Sequence, residues 1–258
     1  MNNTLAAFIL SVPFVLLLGL YIVAVYLSNR HHRHWPLYRS ALWTVGVSFA
    51  ILSVAGPLAE RAHTDFTVHM LGHLFLGMLA PLLMTVAAPM SLLLRTLPVK
   101  SARRLTRLLR SRPVGVLSNP VTATILNIGG LWVLYTTDLY MMMHHSILLH
   151  VFIHIHVFLA GYLFTISMIY IDPIPHRFSY LYRAIVLVIA LACHGILSKF
   201  IYANPPSGVP ADQAQAGGKL MYYGGDMIDI IIIFLLCLHW YQSARPRKRA
   251  AQITWQDS

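Results

Sequence analysis

The feature that most constrains this chain is a series of seven long apolar stretches, at about residues 5–27, 39–59, 67–94, 116–136, 146–170, 183–203 and 219–241. Crossing a bilayer takes roughly 20 mostly apolar residues. Hydrocarbon offers no water to stray backbone N–H and C=O groups, so a spanning chain must satisfy them inside helices or a closed barrel. The period-2 alternation of a barrel is missing. A composition that is 57% hydrophobic and 10% charged is also too apolar for a soluble domain. The sequence therefore predicts an all-α polytopic membrane protein, a bundle of seven transmembrane helices forming one membrane domain over residues 1–258. The first stretch reads as a helix rather than a cleaved leader. No basic segment precedes it, and Asn29, Arg30 and His31 follow it where a small-x-small cleavage site would stand.

The net charge of +11 would suit a nucleic-acid partner, but its distribution points elsewhere. With seven spans, 16 of the 19 Lys and Arg fall on one side, in the segments Arg30–Arg39, Arg95–Arg112, Arg177–Arg183 and Arg245–Arg249. Arg61, Lys199 and Lys219 fall on the other. Positive loops stay in the cytoplasm, which predicts an external N-terminus and a cytoplasmic C-terminus. The stretch KSARRLTRLLRSR also has the pattern of an amphipathic helix lying on anionic lipid. The partner implied by charge is thus the bilayer, not a nucleic acid. The two cysteines, Cys193 and Cys237, differ in depth by about 9 Å at the helical rise. That exceeds the span of a disulfide, so both are expected as free thiols.

This topology gives each intramembrane polar residue a height. His69 and His73 lie in the outer third of the third span. His150 and His154 lie one and two turns into the fifth. Cys193 and His194 lie in the sixth. Met221 stands at the mouth of the seventh, with Asp226 and Asp229 one to three turns down. The external loops add His63, Asp65, Met141, Met142, Met143, His144 and His145. Polar side chains of four helices thus converge at one level. His69/His73 and His150/His154 are each four apart, and so share one face of their helix. Facing one another, the two pairs would enclose a cage of four imidazoles. Imidazole is the commonest metal ligand, and Met and Cys add the softness that suits Cu(I). His156 follows His154 by two residues and points about 200° away, towards a neighbouring helix. His31, His32, His34, His176 and His239 fall on the basic side, where solvent or lipid headgroups would receive them.

Three stretches carry a resemblance: HMLGHLFLGMLAPLLMTVAAP from His69 to Pro89, HHSILLHVFIHIHVFLAGYLF from His144 to Phe164 with the following DPIP, and DQAQAGGKLMYYGGDMID from Asp212 to Asp229. Together they resemble the multi-spanning CtaG-like family of cytochrome c oxidase assembly factors, over roughly residues 60–240. The family's histidine pairs match His69 and His73 on the third span and His150 and His154 on the fifth. Its acidic-Gln, Gly-Gly and Met motif matches Asp212, Gln213, Gly217, Gly218 and Met221. Tyr222 stands where a Trp is expected, and His156 is extra. The resemblance implies a non-enzymatic protein of the bacterial plasma membrane. It would bind copper ion in the outer half of the bilayer and deliver it to a haem–copper oxidase subunit, with an external copper donor as a second partner. The expected ligands are His69, His73, His150 and His154, with Cys193, His194, Met221 and Asp226 in reserve.

Two other functions fit parts of the pattern. Facing histidine pairs also ligate b-type haem, but an electron path across the membrane would place one pair near each face. A copper or proton transporter needs a polar path to the cytoplasm. The run IIIIFLLCL after Asp229 offers none. The orientation itself is checked by reporter fusions at Ser258: a reporter that works only in the cytoplasm should be active there, and activity of one that works only outside would reverse every depth assigned above.

Overall fold

Proline, glycine and capping residues decide where the apolar stretches become helices. The computed structural model describes residues 3–31 and 33–245. His32 and the Arg247–Arg249 cluster, read above as cytoplasmic, lie outside these residues. Helix α1 spans Asn3–His31, α2 Leu37–Val54, and the short α3 Pro57–Ala62. Helix α4 runs Phe66–Val86. Asp65 caps it by accepting hydrogen bonds from the Thr67 and Val68 amides. The expected continuation to residue 94 does not occur. Ala88 takes a left-handed φ of 54° and Pro89 opens a new helix, α5, at Pro89–Thr96. Helices α6 (Val99–Leu109) and α7 (Arg112–Leu117) complete this basic connection.

Helix α8 covers Pro120–Thr136, starting later than the expected residue 116 because Asn119 caps it and Pro120 fills its first position. Then come α9 (Leu139–His145), α10 (Ile147–Met168), α11 (Tyr180–Ala203) and α12 (Ala211–Ala244). Among the described residues every regular element is helical, and six helices are long and apolar enough to cross a membrane. The shorter α8, about 26 Å at the helical rise, is the remaining apolar helix of the expected seven. The chain is a multi-pass membrane protein. Both α4 and α8 contain one π-helical turn, at Phe75–Leu79 and Ile125–Gly129.

The connections gather at two ends. At one, which we call the arginine end, Arg95 donates to the Arg33 carbonyl. Asp172 of the DPIP turn accepts from the Met90 and Ser91 amides at 2.9 and 2.7 Å, capping α5 across the fold. Arg183, grouped with the basic loops in the sequence, is only 1% exposed. Its guanidinium donates to the Met168 carbonyl at the end of α10 and lies 3.9 Å over the Tyr170 ring. His176 packs its ring over Gly115 and is half-buried rather than solvated.

At the opposite, histidine end, Gln213 accepts from the Phe66 amide at 2.9 Å. Ser207 donates to Asp138 at 2.7 Å, and Met141 packs on Gly208. The 204–218 segment, left between the sixth and seventh expected spans, is a loop only to Pro210. Residues 211–218 are the first turns of α12. This corrects the depth of Asp226 and Asp229. They lie about 22 and 27 Å along α12 at the helical rise, near its middle rather than one to three turns from its start.

Glycines let the helices meet. Gly217 packs on Phe66 and Met70, Gly218 on the Ser198 carbonyl, Gly224 on Leu74 and Gly225 on the His194 ring. The Gly-Gly pairs of the third motif thus seat α12 against α4 and α11, as small residues do between membrane helices. The tightest approach is between α4 and α10, where a Cβ on Gly161 would overlap the carbonyl oxygen of Gly77. Neither backbone can yield without parting the helices. Gly161→Ala should therefore cost at least about 1–3 kcal/mol, read as a clear drop in the melting temperature in detergent. Gly19→Ala, where a Cβ meets nothing within 4 Å, should melt like the parent chain.

Candidate functional site

The α4–α10 crossing fixes the two histidine pairs. His73 is one turn from Gly77, and His154 two turns from Gly161, both towards the histidine end. Around them lie three cavities in series.

The outermost, about 280 Å³, opens between α1, α2, α3, α4, α9 and α10 and is lined by His63, His69, His144, His150 and His154, with Met143 beside them. The ring of His63 stacks on His150 at 5.3 Å and meets His144 edge-on at 5.9 Å. The His150 and His154 rings are 4.1 Å apart. A second cavity, of about 30 Å³, shares His69 and His154 with the first and adds His73 and Tyr135. A third, of about 20 Å³, shares His73 with the second and is closed by Asn127, Thr165, His194 and Asp229.

Local bonding sets which ring nitrogens are available. In His154 the Nδ1 nitrogen bonds the His150 carbonyl at 2.8 Å, and in His144 it bonds the Tyr140 carbonyl at 2.9 Å. A carbonyl only accepts, so each Nδ1 carries the proton and each Nε2 keeps its lone pair. His69 differs, because its Nε2 already bonds the Tyr135 hydroxyl at 3.1 Å. On the cavity walls three buried imidazole nitrogens have no partner, Nδ1 of His150 and Nε2 of His73 and His194; away from the cavities, at the arginine end, Nε2 of His176 is also buried without one. Each such group costs about 1–3 kcal/mol when left unsatisfied. An electron-pair acceptor arriving in these cavities would relieve that cost. Outside the spans, burial and the neighbouring His144 push the His63 pKa down. His63 therefore presents a neutral ring at pH 7, the form that can bind a metal. Burial, and then the charge of Asp65, pushes the Tyr140 hydroxyl up, so it stays protonated.

The structure thus brings His69, His73, His150, His154 and His194 around connected cavities. The rings are strung along the walls. Among the described residues no three His, Cys, Asp or Glu side chains are already gathered to hold one ion. Other candidates lie elsewhere. Met221 is fully buried in the core, away from the three cavities. Asp226 is exposed on the outside of the bundle, and Cys193 is half-buried and borders none of the three. Both thiols are free, as their spacing requires. His156 bonds the Leu126 carbonyl at 3.1 Å and packs on Gly130, so it ties α10 to the π turn of α8.

Of the methionine run, Met143 faces the cavity, Met141 packs on Gly208 and Met142 is exposed. Reading for HxxxH pairs left Tyr135, Asn127 and Asp229 without assigned roles. The usable signal was an amide and a second carboxylate inside otherwise apolar stretches, which are functional by default. His63 and His144 were visible as loop histidines but had no partner until the fold supplied His150.

The model of the cytochrome c oxidase caa3 assembly factor family (Caa3_CtaG) matches residues 19–243. The chain belongs to this family. Among its relatives are the uncharacterized proteins Mb0105 of Mycobacterium bovis and MT0111 of Mycobacterium tuberculosis, each 30% identical over 248 residues. Each alignment covers 86% of this chain and 36% of the relative. Protein ML1998 of Mycobacterium leprae is 29% identical over 269 residues, covering 94% of this chain and 41% of itself. The chain therefore spans well under half the length of these relatives. No solved structure matches it. The family is described as one of cytochrome c oxidase caa3 assembly factors.

Proposed function

We propose that this chain acts in cytochrome c oxidase assembly, as its family does, and that it handles copper for the oxidase, taking the ion into the histidine-lined cavity and releasing it to an oxidase subunit. The observation that carries this is the 280 Å³ cavity with five histidines on its wall, one of which, His150, keeps a buried ring nitrogen without a partner. The cargo ion would meet His63, His144 and Met143 first, then His154 through the Nε2 that its backbone bond leaves free and His150 through its unpartnered Nδ1. His69 joins by giving up its bond to Tyr135, and His73 lies next inward. Wall-mounted ligands that are not closed into a cage suit an ion that must leave again. Holding and passing an ion needs no covalent step, so the role is binding and transfer rather than catalysis.

In this reading all seven apolar helices span the bacterial plasma membrane, with the histidine end outside and the arginine end in the cytoplasm, as the charge split implies. An external donor protein would load the cavity at its mouth. A bis-histidine haem is the weaker alternative. Its macrocycle needs an open slot between two rings, whereas the inner cavities are about 20 and 30 Å³ and the His150 and His154 rings lie 4.1 Å apart.

Copper bound per chain tests the assignment. His150→Ala and His154→Ala should each lose copper from the outer cavity, while His156→Ala, which removes only the bond to Leu126, should keep the parent stoichiometry. Retention in the first two with loss in the third would contradict it. In copper-limited cells, deletion should lower oxidase activity while the oxidase polypeptides are still made, and unchanged activity would count against delivery.

A further inference from the structure

The innermost cavity stands apart from the outer one. It lies between the π turns of α4 and α8, with Gly77 and Met78 from one and Asn127 and Ile128 from the other. Such turns are rare and concentrate at functional sites. Facing them are His194 of α11 and Asp229 of α12. His73 is 6% exposed, His194 4% and Asp229 4%, so three polar groups are sunk into the middle of an apolar bundle. Nε2 of His73 and Nε2 of His194 are both buried without a partner. Each ring lies over a glycine, His73 over Gly77 and His194 over Gly225, where a larger residue would press on it. The cavity, about 20 Å³, has room for one water-sized particle.

We propose that this cavity is a second, terminal ion site, separate from the outer one, in which His73, His194 and Asp229 hold one cuprous ion. The proposal rests on the copper-handling reading above. Charge selects the oxidation state. A monovalent cation with one carboxylate and two neutral imidazoles is neutral overall, the least costly combination in a low-dielectric interior. A divalent ion would leave a net positive charge there. Imidazole suits copper in either state, and the carboxylate contributes only the neutralising charge. The route inward is marked by shared walls: His69 and His154 border the first and second cavities, and His73 borders the second and third. An ion moving inward passes from one imidazole to the next and recruits its final ligands on arrival. Beyond Asp229 the α12 sequence from Ile230 to Leu236 is wholly apolar, and the next donor, Cys237, is exposed on the outside of the bundle, so the site stores rather than conducts.

Equilibrium copper counting under reducing conditions on the purified full chain, with cuprous ion as the probe, tests this. The parent chain should hold two ions, and His194→Ala one. Asp229→Asn should weaken the second ion at least ten-fold. In His194→Gly, millimolar imidazole should restore the second ion, a response that a merely structural role for the ring would not give. His194→Gln, which keeps bulk in the pocket, should also hold one ion, so a misfolded alanine variant leaves the question answerable. One ion in the parent that survives in His194→Gln but is lost in His150→Ala would overturn the inner site and leave the outer reading standing. One ion lost in His194→Gln but kept in His150→Ala would support the inner site and overturn the outer one. A parent chain that binds no cuprous ion would overturn both.

Discussion

Where α4 and α10 cross, Gly161 lies directly against the carbonyl of Gly77, and the placement of the site follows from that contact. Because neither residue has a side chain, the two helices approach backbone to backbone. The histidines one to three turns away then share a common space instead of facing lipid. The same crossing puts Val157 against Gly77 and brings the π turn of α4 beside Thr165. With bulkier residues here the helices would part by several tenths of an ångström or more, and the cavities that depend on shared walls would lose their continuity.

Around that contact the structure divides its histidines by whether their nitrogens are satisfied. His156 is bonded to a carbonyl of a neighbouring helix, as a structural imidazole in a membrane should be. His144 and His154 spend Nδ1 on their own helices and leave Nε2 open. His73, His150 and His194 keep a buried nitrogen unpaired, as His176 does at the arginine end, but only these three line a cavity from which a partner could reach them. Along the cavities the rings run from His63 and His144 at the mouth to His73 and His194 beside Asp229.

Much of this was legible in the chain. Apolar length alone implied membrane helices, and the four-residue spacing of His69/His73 and His150/His154 put each pair on one face. The 200° offset of His156 foretold its separate role. Helix ends were harder, because they depend on single residues: the left-handed Ala88 before Pro89 cut α4 short, and Pro210 started α12 eight residues early. That early start puts both carboxylates near mid-helix, and the rotation of α12 turns Asp229 inward and Asp226 to the outer surface. Pairings between distant segments, such as Asp172 capping α5 or His63 stacking on His150, have no local signal. They follow only from how the helices are arranged.

The central claim is that unpaired imidazole nitrogens inside this bundle are ligands for copper. X-ray absorption at the copper edge of the loaded, full-length chain addresses it most directly. The account predicts the multiple-scattering pattern of histidine rings about a cuprous ion, with nitrogen or oxygen in the first shell and at most one sulfur, from Met143. A shell made of sulfur alone, or copper with no imidazole scattering, would contradict it.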